Sequence, residues 1–141
     1  MKNRSLGKLI SAISRNGIKY IDSQLKPFNL GFGQFQILLE MEDGKKLTQM
    51  EIAQQVGLDK TTIARTIKKL ESLDYIKRDQ NKADSRAYEI TLTNKGLIIS
   101  KKIRKILKNY TEQLSHGITG NDKEKLLSSL ETVLKNSINL Q

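Results

Sequence analysis

Residues 47–73, LTQMEIAQQVGLDKTTIARTIKKLESL, have the pattern of two short helices joined by one tight turn. The spacing of Thr48 and Glu51 is that of a capping box, which predicts that the first helix begins at Thr48. Gly57 favours the left-handed conformation that ends a helix, and Asp59 is a suitable cap for a second one. The turn is then about three residues long, so the stretch is typical of a helix-turn-helix motif.

The second of these helices has an apolar face and a basic face. At about 100° per residue, Ile63, Ile67 and Leu70 fall on one side. A helix that enters the DNA major groove needs hydroxyl and basic side chains to contact base edges and phosphates, and we therefore predict double-stranded DNA as the partner. A solvated helix hairpin is the alternative that this segment leaves open. The candidate DNA-binding residues on the opposite side are Thr61, Thr62, Arg65, Lys68 and Lys69.

Composition narrows the class of protein. A chain of 141 residues is ordinary for one domain, and we expect a single domain over residues 1–141. Twenty-five Lys and Arg against fifteen Asp and Glu give a net charge of +10, which suits a polyanionic partner but is shared by ribosomal and membrane-surface proteins. The absence of cysteine excludes disulfides and thiolate zinc sites and favours a cytoplasmic location. No apolar run approaches the roughly 18 residues of a membrane span, so no membrane partner is expected.

Enzyme chemistry finds no support in the sequence. The chain has a single histidine and no cysteine, and it lacks a nucleophile elbow, a phosphate-binding loop and spaced metal ligands. We therefore predict that the protein is not an enzyme and that it uses neither a metal nor another cofactor.

Two further helices are predicted before the motif. Apolar residues recur at helical spacing over residues 5–25, where we expect one amphipathic helix. Residues 31–42 predict a second helix with one apolar side, stopped by the turn residues Asp43 and Gly44. We expect this second helix to pack under the helix-turn-helix.

After Leu73 the pattern changes from helical to alternating. Residues 75–79 form a short extended run, and residues 87–92 alternate apolar and polar side chains with the period of two that is typical of a strand. The loop between them, QNKADSR, is polar and carries Lys82 and Arg86. A hairpin directly after a recognition helix is a wing, and its basic tip can contact phosphates or the minor groove.

The last section predicts two long amphipathic helices. Thr93 is a suitable cap for a helix over residues 96–115, and a final helix opens at Asn121. A minimal winged domain does not contain these helices, so together with residues 5–25 they leave a large apolar area uncovered. The simplest way to bury this area is against the same helices of a second chain, which predicts a two-fold homodimer.

In chain order, these elements predict a mainly α fold with a small β-wing. A winged helix-turn-helix covers about residues 31–93 and is flanked by N- and C-terminal dimerisation helices over about residues 5–25 and 94–139. This order and three motifs resemble the multiple antibiotic resistance regulator (MarR) family of winged helix-turn-helix transcriptional regulators, over nearly the whole chain. The motifs are LGFGQFQIL at 30–38, LTQMEIAQQVGLDKTTIARTIKKLESLDYIKR at 47–78 and DSRAYEITLTNKG at 84–96.

The resemblance implies a dimeric repressor that binds a palindromic operator. It implies that Thr61, Thr62 and Arg65 contact DNA from the recognition helix, and that Asp84 and Arg86 form a pair in the wing. The sequence departs from the family at the second helix, where Gly31 replaces the usual capping threonine, and in the wing, which has fewer arginines than many relatives.

The resemblance also implies release from DNA by an effector, often a small aromatic acid. Such an effector would bind between the dimerisation helices and the winged domain. The candidate residues for this pocket are Arg15, Tyr20 and His116, and a surface or structural role is the alternative for each.

Two other function classes stay open on the sequence alone. A winged domain that binds protein instead of DNA needs an exposed apolar face where Thr61, Thr62 and Arg65 stand. A basic RNA-binding protein needs aromatic side chains that stack on bases. The sequence shows neither feature at these positions.

Overall fold

The computed structural model describes residues 4–41, 44–80, 82–84 and 87–141. The chain divides into two compact units, Met1–Leu107 and Lys108–Gln141, and the expectation of a single domain stays a prediction. The fold is mainly helical with a small antiparallel sheet, as predicted. The elements are α1 (Leu6–Leu25), a 3-10 helix (Lys26–Phe28), α2 (Phe35–Glu40), β1 (Leu47–Thr48), α3 (Gln49–Val56), α4 (Lys60–Ser72), β2 (Ile76–Gln80), β3 (Tyr88–Leu92), α5 (Asn94–Leu114) and α6 (Gly120–Ile138).

The predicted helix-turn-helix is confirmed at the start and end of α3 and at the start of α4. Thr48 Oγ1 accepts from the Glu51 amide at 3.2 Å, and Glu51 Oε2 accepts from the Thr48 amide at 3.1 Å, which together form the capping box of α3. Gly57 ends α3 with a φ of 73°, a left-handed conformation that costs glycine nothing. Asp59 caps α4, so the turn between the helices has the predicted length.

The wing is confirmed as an antiparallel hairpin, with one strand more than the sequence predicted. β2 pairs with β3 from Ile76 opposite Leu92 to Gln80 opposite Tyr88. β1 pairs with the other edge of β3, so the strand order is β1-β3-β2. Two residues are too short a run to show a period of two, and only the pairing with β3 makes β1 a strand.

The prediction for α2 was wrong at its start. We expected a helix from Gly31, but residues 31–34 form a turn and the helix begins at Phe35. Side chains hold this turn: Gln34 Oε1 accepts from the Gly31 amide at 3.0 Å, and Asp22 Oδ1 accepts from the Phe32 amide at 2.6 Å. The helix ends at Glu40, before the predicted end at residue 42, and Asp43 lies outside the described residues.

The core of the first unit lies between the helix-turn-helix, the sheet and the start of α5. Its fully buried side chains come from α2, α3, α4, β3 and α5. They include Ile37, Leu38, Ile52, Ile63, Leu70, Ile90 and Ile103. Helix α4 packs through its apolar side, and α5 contributes Ile99 and Ile103 to the same core. The helix-turn-helix and the sheet therefore pack on one apolar core.

Other helical apolar residues are exposed. In α1, Leu6 and Ile13 are 56% and 52% exposed. Helix α6, which the structure describes throughout, has no buried residue, and Leu134 is 61% exposed. Within the described residues, no helix is both long enough and apolar enough to cross a membrane.

Candidate nucleic-acid interface

The start of α4 is fixed by the carboxylate of Asp59. Asp59 Oδ1 accepts from the Thr62 amide at 2.9 Å, and Oδ2 accepts from the Thr62 hydroxyl at 2.6 Å. The hydroxyl and the amide of Thr62 lower the pKa of Asp59, so its carboxyl is ionised at neutral pH. The proton of the Thr62 hydroxyl is committed to Asp59, which leaves Thr62 Oγ1 to act toward a partner as an acceptor.

The two predicted faces of α4 are confirmed by burial. Ile63, Ile67 and Leu70 are buried, and the structure adds Thr66 to this side. On the other side Thr62 is half-buried, and the exposed residues are Thr61, Arg65, Lys68 and Lys69. The candidate residues on α4 therefore form one exposed, strongly basic surface over an apolar base.

Arg65 lies at the centre of this surface, because it borders a cleft on each side of α4. One cleft lies toward the end of α1 and the turn before α2, and Lys26 and Lys69 line it with Arg65. The other lies toward the start of α3, and Gln49 and Lys60 line it with Arg65. A side chain in this position can turn to either cleft or project between them.

Three residues on this surface were missed by the sequence analysis. Lys60 stands one turn before Ala64 and two turns before Lys68, and this spacing of four residues was a signal that could have found it. Gln49 and Lys26 gave no comparable signal. They are brought to α4 by the packing of α3 and by the end of α1, which are tertiary features.

The base of the wing is tied to α4 through Arg78. Its Nε donates to Glu71 Oε2 at 3.3 Å, and its guanidinium lies 5.1 Å from the ring centroid of Tyr88. Lys82 and Asp84 are exposed in the loop that follows β2. Arg86 lies outside the described residues, so the expected pairing of Asp84 with Arg86 stays a prediction.

The candidate effector residues fall in both units. Arg15 is exposed and Tyr20 is half-buried on α1, and their separation of five residues places them on different sides of that helix. His116 is exposed just after α5, in the second unit. Among the described residues, no cluster of three or more His, Asp or Glu side chains could hold a metal ion.

Known proteins with similar sequences and structures show which family the chain belongs to. The sequence model of the MarR family matches residues 28–87. The HTH-type transcriptional regulator SarZ of Staphylococcus haemolyticus is 30% identical over 92% of this chain and 86% of its own length. The crystal structure of a MarR transcriptional regulator from Methanosarcina mazei is 31% identical, with a TM-score of 0.79 over 96% of this chain and 98% of that one. The chain belongs to the MarR family.

The resemblance to MarR-family winged helix-turn-helix transcriptional regulators is thus confirmed, in fold as well as in sequence. A mutant MarR from E. coli, solved in complex with operator DNA, is 22% identical and gives a TM-score of 0.77 over 92% of this chain and 93% of that one. At that identity the match shows the fold alone. The MarR-family fold accounts for the winged helix-turn-helix and for the long helices on either side of it.

Proposed function

We propose that this MarR-family regulator is a dimeric repressor that binds a palindromic operator through α4 and the wing. The observation that carries the proposal is the exposed basic side of α4, held over the buried side chains of Ile63, Ile67 and Leu70. A surface helix needs only solvated polar residues on its outer side. Four basic residues at positions 60, 65, 68 and 69, with no acidic residue between them, match a polyanion.

The side chains of α4 divide by chemistry into base contacts and phosphate contacts. Arg65 is central and has the planar fork that binds the O6 and N7 atoms of guanine, so we assign it to direct base recognition. Thr61 is exposed beside it, and Thr62 offers an acceptor oxygen because Asp59 takes its proton. Lys60, Lys68 and Lys69 are assigned to phosphates, where a flexible ammonium gives affinity without sequence preference.

The dimer part of the proposal rests on the exposed apolar side chains of α1 and α6. In α6 the exposed leucines and isoleucine recur at positions 127, 130, 134 and 138, which is the spacing of one helix face. A stripe of this kind on a water-exposed helix is typical of a protein interface. A two-fold dimer would present two α4 helices to half-sites about one DNA turn apart, which explains the palindrome in the proposal.

The experiment that tests this proposal is a selection of bound duplexes from a random DNA pool, followed by light scattering of the free protein. We expect the selected sequences to share an inverted repeat and the protein to have twice the monomer mass. A duplex pool without a common motif would contradict sequence-specific binding. A monomer at micromolar concentration, with intact helicity, would contradict the dimer and the palindrome together.

The wing is proposed to contact the DNA backbone or the minor groove through Lys82 and Arg86. If each contact neutralises one phosphate, the slope of log affinity against log salt should fall by about 0.9 per lost contact and chain. The test is the double variant Lys82→Gln and Arg86→Gln on the selected duplex, with Lys125→Gln and Lys135→Gln in α6 as a charge-matched control. If the slope of log affinity against log salt is the same in the wing variant as in the wild type, the wing does not contact phosphates.

The repressor part of the proposal can be tested with a reporter gene. With the selected duplex placed between a promoter and a reporter gene, we expect the protein to lower transcription.

We further propose that a small aromatic acid releases the protein, with Arg15, Tyr20 and His116 as candidate residues. Benzoate is a simple probe of this class: it should weaken duplex binding by the wild type and act less on Arg15→Gln. Equal duplex affinity with and without benzoate would remove aromatic acids of this size from the proposal.

The same surface disfavours the two other classes. A winged domain that binds protein would expose an apolar face on α4 at Thr61, Thr62 and Arg65, and all three positions carry polar side chains. An RNA-binding surface would place stacking aromatics among the cations. Helix α4 carries no Phe or Tyr, and Phe32, which lines the cleft beside Arg65 and Lys69, is half-buried.

A further inference from the structure

The three residues that follow α4 are held by the start of α5. Lys95 Nζ donates to the carbonyl of Leu73 at 3.0 Å, and Thr93 Oγ1 donates to the carbonyl of Asp74 at 2.6 Å. The Thr93 amide donates to the carbonyl of Tyr75 at 3.1 Å. Three consecutive carbonyls, beginning with the C-cap residue of α4, therefore accept hydrogen bonds from only two residues. We call this arrangement the carbonyl clamp.

The carbonyl clamp is tightly packed and has a second anchor. A Cβ on Gly96 would lie 1.9 Å from the carbonyl oxygen of Tyr75, so the first turn of α5 approaches this carbonyl as closely as only glycine allows. The Tyr75 side chain is 3% exposed, and its hydroxyl donates to the carbonyl of Phe28 at 2.8 Å, in the 3-10 helix that follows α1. Burial raises the pKa of Tyr75, so its hydroxyl remains a donor at neutral pH. The Lys95 ammonium lies 5.2 Å from the centroid of the Tyr75 ring.

These contacts connect the segment after α4 with the start of α5 and with the 3-10 helix that follows α1. We propose that Lys95 and Tyr75 are positioning residues for operator recognition, which set the orientation of α4 without touching DNA. The proposal rests on the proposed function of α4 and extends it to two residues that lie outside α4.

The physical reason is the sensitivity of a bidentate base contact to small displacements. Arg65 lies eight residues before Leu73, or about 12 Å along the helix axis, so a slight tilt at the clamp moves the guanidinium laterally. Phosphate contacts through flexible lysines tolerate such a movement, whereas the paired hydrogen bonds to a guanine edge do not. Lys95 also places a cation at the negative end of the α4 dipole, where the carbonyl of Leu73 has no partner within the helix.

The test compares Lys95→Met, which keeps the length of the side chain but removes the donor and the charge, with Lys101→Met. Lys101 is an exposed lysine of the same helix α5, so the control variant loses the same charge. The probes are the duplex selected by the wild type and a shuffled duplex of the same length and composition. We expect Lys95→Met to weaken binding to the selected duplex by about three- to tenfold and to the shuffled duplex by less than about twofold. Lys95→Arg, which keeps a donor and the charge, should restore most of the affinity.

A second comparison separates positioning from a general loss of structure. In an Arg65→Ala background no guanidinium remains to be misplaced, so adding Lys95→Met should cost less than about twofold on the selected duplex. Tyr75→Phe removes only the hydroxyl and should behave like Lys95→Met in both backgrounds. Thermal unfolding of each variant checks that the chain is folded at the temperature of the binding assay.

Several results would overturn the inference. Equal losses on both duplexes, with a salt slope reduced by about 0.9, would make Lys95 a phosphate contact. A full effect that persists in the Arg65→Ala background, or an effect no larger than that of Lys101→Met, would remove the positioning role. These failures leave the wild type able to discriminate the two duplexes. A wild type that binds both duplexes equally would instead overturn the proposed function, and the inference with it.

Discussion

Helices α4 and α6 have similar amphipathic patterns and opposite environments. In α4, Ile63 and Leu70 are completely buried under a basic outer side. In α6, Leu134 and Ile138 are more than half exposed, at 61% and 63%. The pattern of apolar residues therefore predicts a helix in both cases, but it does not predict what covers the apolar side.

The difference assigns the two helices to different tasks. The apolar side of α4 is fully used by the core of the first unit, so its outer side is presented rigidly to a partner. The apolar side of α6 contains no buried residue, and we propose that assembly covers it. Changes to α4 should therefore act on folding and on DNA, and changes to α6 should act on assembly.

The largest effect is expected from charges on the apolar side of α6. The double variant Leu127→Asp and Leu134→Asp would place four carboxylates in a two-fold interface, at a cost of several kcal/mol for each carboxylate that loses its water. We expect light scattering to report the monomer mass at concentrations where the wild type is a dimer. The control is Ser128→Asp and Glu131→Gln, which changes neighbouring polar positions of the same helix. A variant that remains dimeric would show that α6 does not form the interface.

The second effect concerns the buried side of α4. Ile63→Ala removes a fully buried side chain from the core and should lower the free energy of unfolding by about 2 to 5 kcal/mol in urea titrations. Leu134→Ala in α6 is the matched comparison. Its loss should shrink when the protein is diluted until wild type and variant are both monomeric, because it acts through association, whereas the loss for Ile63→Ala should not depend on dilution. The same concentration dependence for both variants would erase the distinction between the two helices.

The third effect concerns the outer side of α4. Arg65→Ala should cost about 1 to 3 kcal/mol on the selected duplex, because a bidentate base contact would be lost, and less on random DNA. Lys125→Ala in α6 removes the same charge from the comparison helix and should change both affinities slightly. We would measure both variants by fluorescence anisotropy at one salt concentration. Equal losses on the selected and random duplexes would reassign Arg65 to phosphates and leave base recognition to the threonines.

The sequence predicted the parts of the fold that local chemistry determines. The caps at Thr48 and Asp59 and the terminator at Gly57 depend on neighbours three or four residues away, and all three were predicted. The start of α2 and the strand β1 were not. The first depends on Asp22, ten residues from the amide that it binds, and the second on pairing with β3. Long-range contacts of this kind leave no periodic trace in a single sequence.

The same limit applies to the candidate site. The exposed side of α4 follows from helical spacing, so Arg65 and its basic neighbours could be named from the sequence. Lys26 and Gln49 reach the site only through tertiary packing, and Lys95 is connected to α4 by a hydrogen bond that spans 22 residues. Residues that we propose to touch DNA were thus easier to predict than residues that we propose to hold them in place.

The smallest effect concerns the pH dependence of the cap of α4, which α6 does not share because its cap residue Thr119 accepts no side-chain hydrogen bond. The hydroxyl and amide of Thr62 lower the pKa of Asp59 below 3.8 in the folded protein. The carboxylate therefore contributes stability that is present above the unfolded pKa and is lost as the pH falls through the lower, folded pKa.

Asp59→Asn tests this contribution, because an amide keeps an acceptor for the Thr62 backbone but does not titrate. At neutral pH we expect the variant to melt at a slightly lower temperature than the wild type. The difference between the two melting temperatures should shrink as the pH is lowered from 5 to below 3.8, where the wild-type carboxyl becomes protonated. Asp122→Asn, in the first turn of α6, serves as the control for removing a carboxylate near a helix start. A difference that stays constant over this range would show that the charge of Asp59 does not contribute to the cap of the recognition helix.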